Sequence, residues 1–152
     1  KPQNTDLLYA RAMVAARADN IKDLERDLRD ILSREPDNAD ALNALGYTLA
    51  DKTTRYDEAY ALIQRAVKIK PDDHYIIDSL GWVLYRLKRY EEAVVQLRRA
   101  WNIRADAEVG AHLGEVLWVM GKKDEARQIW KEALDAAADK QKIADVIRRL
   151  TE

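Results

Sequence analysis

His74 and His112 are the only histidines, and there is no cysteine, so the chemistry open to this chain is narrow. A metal centre or a histidine base needs partner side chains at short, fixed spacings. Neither histidine has such a partner in sequence, which leads to the expectation of no metal, no cofactor and no catalytic residue. His74 reads as a helix-start residue and His112 as a hydrogen-bonding one. The pairs Asp57-Glu58, Glu91-Glu92 and Asp124-Glu125 resemble acid–base carboxylates at first sight. They recur in register at the starts of helices, where acids favour the positive helix end, and that structural role explains them. There is no phosphate-cradling glycine loop and no nucleophile elbow. Arg98-Arg99 and Arg148-Arg149 are isolated pairs and not a basic stripe. This segment is therefore not expected to be an enzyme.

Composition sets the outer bounds. The 152 residues are 47% hydrophobic and 35% charged, enough for one domain with a sizeable core. A net charge of −1 supplies no overall field for nucleic acid. No apolar run approaches the roughly 20 residues of a bilayer crossing, so no direct membrane contact is expected. The absence of cysteine excludes disulfides and leaves the compartment open. The chain starts at Lys1 with no signal-peptide pattern, and it reads as a piece of a longer protein.

The elements that would carry any function recur with a period near 34. Leu45-Gly46, Leu80-Gly81 and Leu113-Gly114 are each followed by a leucine three residues after the glycine, and the glycines lie 35 and 33 residues apart. Such a period is the mark of stacked units. Apolar residues recur every three or four positions within each unit, as in Ala59, Ile63, Ala66 and Ile69, which is a helical spacing. Pro36 and Pro71 close helices, and the Asp and Asn residues after them cap the next ones. Gly121 is expected to end a helix. The spacing predicts helices over 5–18, 21–34, 38–51, 56–70, 73–87, 90–103, 107–120, 123–137 and 139–150. Gly46, Gly81 and Gly114 should sit where paired helices come closest, facing Ala59, Ala93 and Ala126. Trp101 and Trp130 are assigned to packing.

The pattern Leu42, Leu45, Gly46, Leu49, Ala59, Ile63, Ala66, Pro71 resembles the tetratricopeptide repeat family. So do Ile77, Leu80, Gly81, Leu84, Ala93, Leu97, Ala100 and Gly110, Leu113, Gly114, Leu117, Ala126, Trp130, Ala133. Alanines, Ala105 and Ala138, stand where the last two units would have proline, and a degenerate first unit reads Leu8, Ala12, Ala15, Leu24, Leu28, Ile31, Pro36. The resemblance implies an all-α, right-handed superhelical solenoid of about four helical hairpins, with units near 5–38, 39–73, 74–106 and 107–138. A capping helix near 139–150 follows, all in a single domain. It implies further that the first helix of each hairpin lines a concave groove. In this chain the groove residues would be Tyr9, Asn43, Tyr47, Asp78, Trp82, Tyr85, Arg86, His112, Glu115 and Trp118. Tyr9, Tyr47, Trp82, Tyr85 and Trp118 would form an exposed aromatic stripe. The groove acids Asp40, Asp51, Asp78, Glu108 and Glu115 outnumber Arg17 and Arg86, which suggests an extended apolar ligand with some positive charge. The places where some members clamp a C-terminal carboxylate carry Tyr9, Met13, Ala44 and Asp40, so that clamp is absent.

The function implied is a protein–protein scaffold or adaptor that holds a protein or peptide partner. The alternative is self-association: Leu7, Leu8, Ala12, Met13, Ala15 and Ala16 leave the first helix apolar almost all round, a face through which a homodimer could form. The run from Asp78 to Ala100 and that from Ala111 to Leu134 are similar to the C-terminal part of large tetratricopeptide lipoproteins of Gram-negative bacteria. That likeness implies a periplasmic, outer-membrane-tethered location through an upstream lipid anchor, with the cytoplasm as the alternative. It also implies delivery of proteins to envelope machinery, a processing protease included.

Overall fold

The structure is a computed structural model that describes residues 4–137 and 140–152. Among the described residues there are nine helices and no strand. They are α1 (Thr5–Arg17), α2 (Ile21–Arg34), α3 (Ala39–Lys52), α4 (Tyr56–Ile69), α5 (His74–Arg86), α6 (Tyr90–Ile103), α7 (Ala107–Val119), α8 (Lys123–Ala136) and α9 (Gln141–Thr151). The expected boundaries agree to within two residues. The Asp139 start of the last helix and Ala138 in the proline place lie outside the described residues.

Side-chain chemistry explains most of these boundaries. Asn4, Asn20, Asn38, Asp73 and Asp106 each accept a hydrogen bond from backbone N–H groups of the helix they open. The second helices α4, α6 and α8 have no side-chain cap. Their first turns carry the acidic pairs, and a basic residue fills each cap position: Arg55, Arg89 and Lys122. Arg89 grips Glu92 with two bonds of 2.7 Å. Arg55 holds Glu58 at 2.8 Å, and Glu125 is held by Arg98. The carboxylate pairs are thus helix-start devices.

The chain divides into two compact units, Lys1–Pro71 and Asp72–Glu152. In the first, α1 packs on α2, α2 on α3 and α3 on α4. Its core is built from Leu8, Ala12, Leu24, Leu28, Ile31, Leu42, Leu45, Leu49, Ile63 and Ala66, all essentially inaccessible. A Cβ on Gly46 would lie 2.6 Å from Ile63 Cγ1 and 3.1 Å from the Ala59 carbonyl oxygen. The expected close approach is therefore present, but the nearest neighbour is the branched chain one turn beyond the alanine. One buried charge was not anticipated from sequence. Asp27 is 1% exposed and receives Arg11 in a two-bond grip, 2.8 Å from Nε and 2.7 Å from Nη2.

The second unit repeats the plan with a ninth helix added. α5 packs on α6, α6 on α7 and α7 on α8, while α5 also meets α7. Trp101 packs against Ile77, Ala100 and Val109, and Trp130 is buried, as the packing assignment required. α9 packs mainly against α7 and less against α8. Lys142 meets Glu108 at 3.4 Å and Arg149 meets Glu115 at 2.6 Å. Both bridges span 34 residues, the repeat period. α9 thus runs parallel to α7 in the register of a further unit's first helix, where the sequence suggested only a cap.

Candidate binding site

The ten candidate residues separate by unit. Tyr9 on α1 and Asn43 and Tyr47 on α3 belong to the first, and all three are half-buried. Tyr9 lines a shallow hollow with Thr5, Asp6, Asn38 and Asp40. Burial, and then the Asp40 charge, raise its phenol pKa. The Asn43 Oδ1 is buried and meets no hydrogen-bond donor among the described residues.

The other seven lie on α5 and α7 of the second unit, where Asp78, Trp82, Tyr85, His112 and Glu115 form one connected cluster. His112 Nδ1 sits 3.0 Å from both carboxylate oxygens of Asp78. The Trp82 ring stacks on the His112 ring at 4.2 Å and tilts against Tyr85 at 5.0 Å. Tyr85 Oη donates to Glu115 Oε2 at 2.9 Å, and Arg149 of α9 donates to Glu115 Oε1 at 2.6 Å. Burial drives the Asp78 carboxyl pKa upward, against the pull of His112. For His112, burial is the largest single influence and favours the neutral ring, but the charge and hydrogen bond of Asp78, with the Glu108 charge, together outweigh it and its pKa stands raised. Tyr85 is raised by burial first and by the Glu115 charge second.

The expectation of an exposed aromatic stripe fails at Trp82, which is 5% exposed. Asp78, His112 and Glu115 are buried as well. The cause is the packing of successive first helices: His112 covers Asp78 and Trp82 from 34 and 30 positions later, and Arg149 of α9 covers Glu115 from 34 positions later. Tyr85, Arg86 and Trp118 remain half-buried. Trp118 is flanked by Lys123 Nζ at 4.8 Å and the Arg127 guanidinium at 5.0 Å, and it lies 5.6 Å from Trp130. Such ring–cation contacts hold the indole in place.

Sequence reasoning missed Lys142, Arg149, Lys123 and Arg127 as parts of this surface. The signal for the first two was present in the 34-residue offsets from Glu108 and Glu115. Ser79, beside the cluster, donates to the Tyr75 carbonyl at 3.1 Å and so is spent on its own helix. His112 acts on Asp78 and stacks under Trp82. The surface is made of anchored rings, cations and acids, which suits the holding of another chain.

Known proteins supply the wider frame. Tetratricopeptide repeat profiles match residues 9–74 and 75–108. Over 114 residues, three quarters of this chain, the sequence is 53% identical to the TPR repeat-containing protein PA4667 of Pseudomonas aeruginosa, of which it spans 19%. It is 29% identical over 155 residues to the human protein O-mannosyl-transferase TMTC1, spanning 18% of that protein. The chain thus covers about a fifth of these relatives. Among solved structures, TTC0263, a thermophilic TPR protein of Thermus thermophilus, superposes with a TM-score of 0.84 over 99% of this chain and 83% of its own, at 19% identity. PilF of Pseudomonas aeruginosa superposes with a TM-score of 0.75 over 99% of this chain and 68% of its own, at 22% identity. With the hairpins, the in-register glycines and the matched profiles together, this chain is a member of the tetratricopeptide repeat family.

Proposed function

We propose that this segment is a protein-interaction scaffold whose first-helix face receives a partner segment rich in apolar and basic side chains. Tetratricopeptide repeats in general mediate contacts between proteins. The observation that carries the finer reading is the pre-ordered surface of the second unit. Tyr85 is tied through its hydroxyl to Glu115, and Trp118 is held between cations, yet both rings stay partly open. Rings fixed before binding lose little freedom when a partner arrives, which is the character of interface anchors. Glu108, still 40% exposed, accepts a lysine from α9, which supports a preference for cationic side chains on this face.

The test is affinity capture from the source cell's extract, comparing the wild-type chain with a Tyr85→Ala, Trp118→Ala variant. Trp82 is left intact because it is interior. Specific partners recovered by the wild type should be lost from the variant, and equal recovery of all of them would refute the reading.

A second reading, self-association, has an observation of its own. Leu7 and Val14 are 64% and 60% exposed and lie seven residues apart on one stripe of α1. Sedimentation of the wild type against a Leu7→Glu, Val14→Lys variant decides it: only a concentration-dependent dimer that the variant abolishes supports it. The parent protein we place facing the periplasm, tethered to the outer membrane. The resemblance of residues 78–100 and 111–134 to Gram-negative lipoproteins supports this. Protease access to the full-length protein in spheroplasts is the check, and protection there would exclude it.

A further inference from the structure

We propose that Asp78, Glu108 and His112 form a binding site for a divalent transition metal of the zinc class. One ligand atom from each side chain lies within 4.8 Å of the other two. The residues come from two packed helices. Glu108 and His112 stand one turn apart on α7, and Asp78 faces them from α5. Four ligands about 2.0–2.2 Å from a tetrahedral zinc lie roughly 3.4 Å apart. Asp78 and His112, at 3.0 Å, are already near that separation. Glu108, whose ligand atom lies within 4.8 Å of the other two, would have to move inward to reach it.

A second observation points the same way. The Asp78 side chain is 4% exposed, and among the described residues both its oxygens are bonded to the single His112 Nδ1. A carboxylate has about four acceptor positions, and buried ones are normally filled. One shared N–H is a small part of that capacity for a buried carboxylate, and Glu108 adds a second negative charge nearby. Lys142 is the cation at the edge of the group, 3.4 Å from Glu108. A divalent cation would take the place of the proton between Nδ1 and Asp78 and balance both carboxylates. The Trp82 ring fixes the imidazole plane at 4.2 Å, an orienting contact of the kind that outer neighbours give metal ligands. Glu108 is 40% exposed, so the site opens on its side and leaves room for a water as fourth ligand. The bound ion would fasten α5 to α7.

The experiment titrates Co²⁺ into the tag-free chain and follows its visible d–d absorption, then displaces it with Zn²⁺. The result expected is saturable binding of one ion per chain, released by Zn²⁺, together with a rise in melting temperature. Glu108→Gln preserves the Asp78–His112 pair and a half-exposed surface, so its fold, checked by circular dichroism, should survive. It should weaken binding by at least the roughly tenfold that loss of an outer-sphere partner costs. His74→Gln removes the other histidine, which is paired with Asp106 at 3.2 Å, and should leave binding unchanged. Absence of a saturable Co²⁺ band, a band that Glu108→Gln leaves unaltered, or one that His74→Gln abolishes would each overturn the proposal.

Discussion

A Cβ placed on Gly81 would lie 2.5 Å from Leu97 Cγ and 3.3 Å from the Ala93 carbonyl oxygen. The leucine could yield a little, but the carbonyl belongs to a helix that cannot. Gly81→Leu should therefore destabilise by about 1–3 kcal/mol or more through overpacking, measured by urea unfolding. An unchanged midpoint would show that the two helices are not in this contact. Gly114 is tighter still, with the Trp130 indole against it. A different residue-scale effect operates in the turns. Asp19, Lys88 and Gly121 hold φ of 55°, 64° and 85° where first helices give way to second ones. At each, the turn closes by two backbone bonds; for Lys88 they are Lys88 N–H to Tyr85 O and Arg89 N–H to Leu84 O, both 2.9 Å. Only glycine adopts this conformation without strain. Lys88→Gly should stabilise by about 0.5–1 kcal/mol, the αL penalty less the extra freedom of the unfolded glycine. Asp19→Gly should gain less, since Asp tolerates the region and here also meets Lys52 at 3.3 Å.

Between elements, the buried Asp27 on α2 is the joint with α1. Arg11, hydrogen-bonded to it, holds its pKa below the ordinary carboxylate range, with Arg26 assisting. Glu25 and Glu58 are lowered likewise, by Arg55 and Arg29 respectively. A lowered folded-state pKa means stability that is present above the unfolded value and lost as pH falls through the folded one. The melting temperature should therefore drop steeply below about pH 4, and Asp27→Asn should flatten that slope. Arg11→Ala should lower the urea midpoint near neutrality, because it leaves the buried Asp27 with Arg26 alone. The helices themselves were legible because capping residues, prolines and the 3.6-residue period are local signals. Depth in the site was not. Trp82 shares its face with Tyr85, and nothing local tells them apart. Its burial comes from His112, 30 residues on in sequence. Asp27 was illegible for the same reason: in the run Leu24-Glu25-Arg26-Asp27 it resembles any solvated acid until Arg11 is placed beside it.

Over the whole chain, a net charge of −1 conceals a sorted arrangement. Within the second unit α7 presents acids and α9 presents the bases that answer them. Ile143 of α9 is fully buried. Removing residues 140–152 uncovers its site, takes the lysine from Glu108 and leaves Glu115 with Tyr85 but without its arginine. The loss should be at least about 2 kcal/mol, read as a lower urea midpoint and a changed near-ultraviolet spectrum. An identical midpoint would mean that α9 is only an appendage. Because α9 runs parallel to α7, its two bridges, Lys142–Glu108 and Arg149–Glu115, lie at opposite ends of the pair. A force drawing on the carboxyl terminus would load Arg149 first and peel the helix backward, one fastening at a time. Under tension this end should let go gradually at low force, as a zip does, and should not shear in one abrupt rupture.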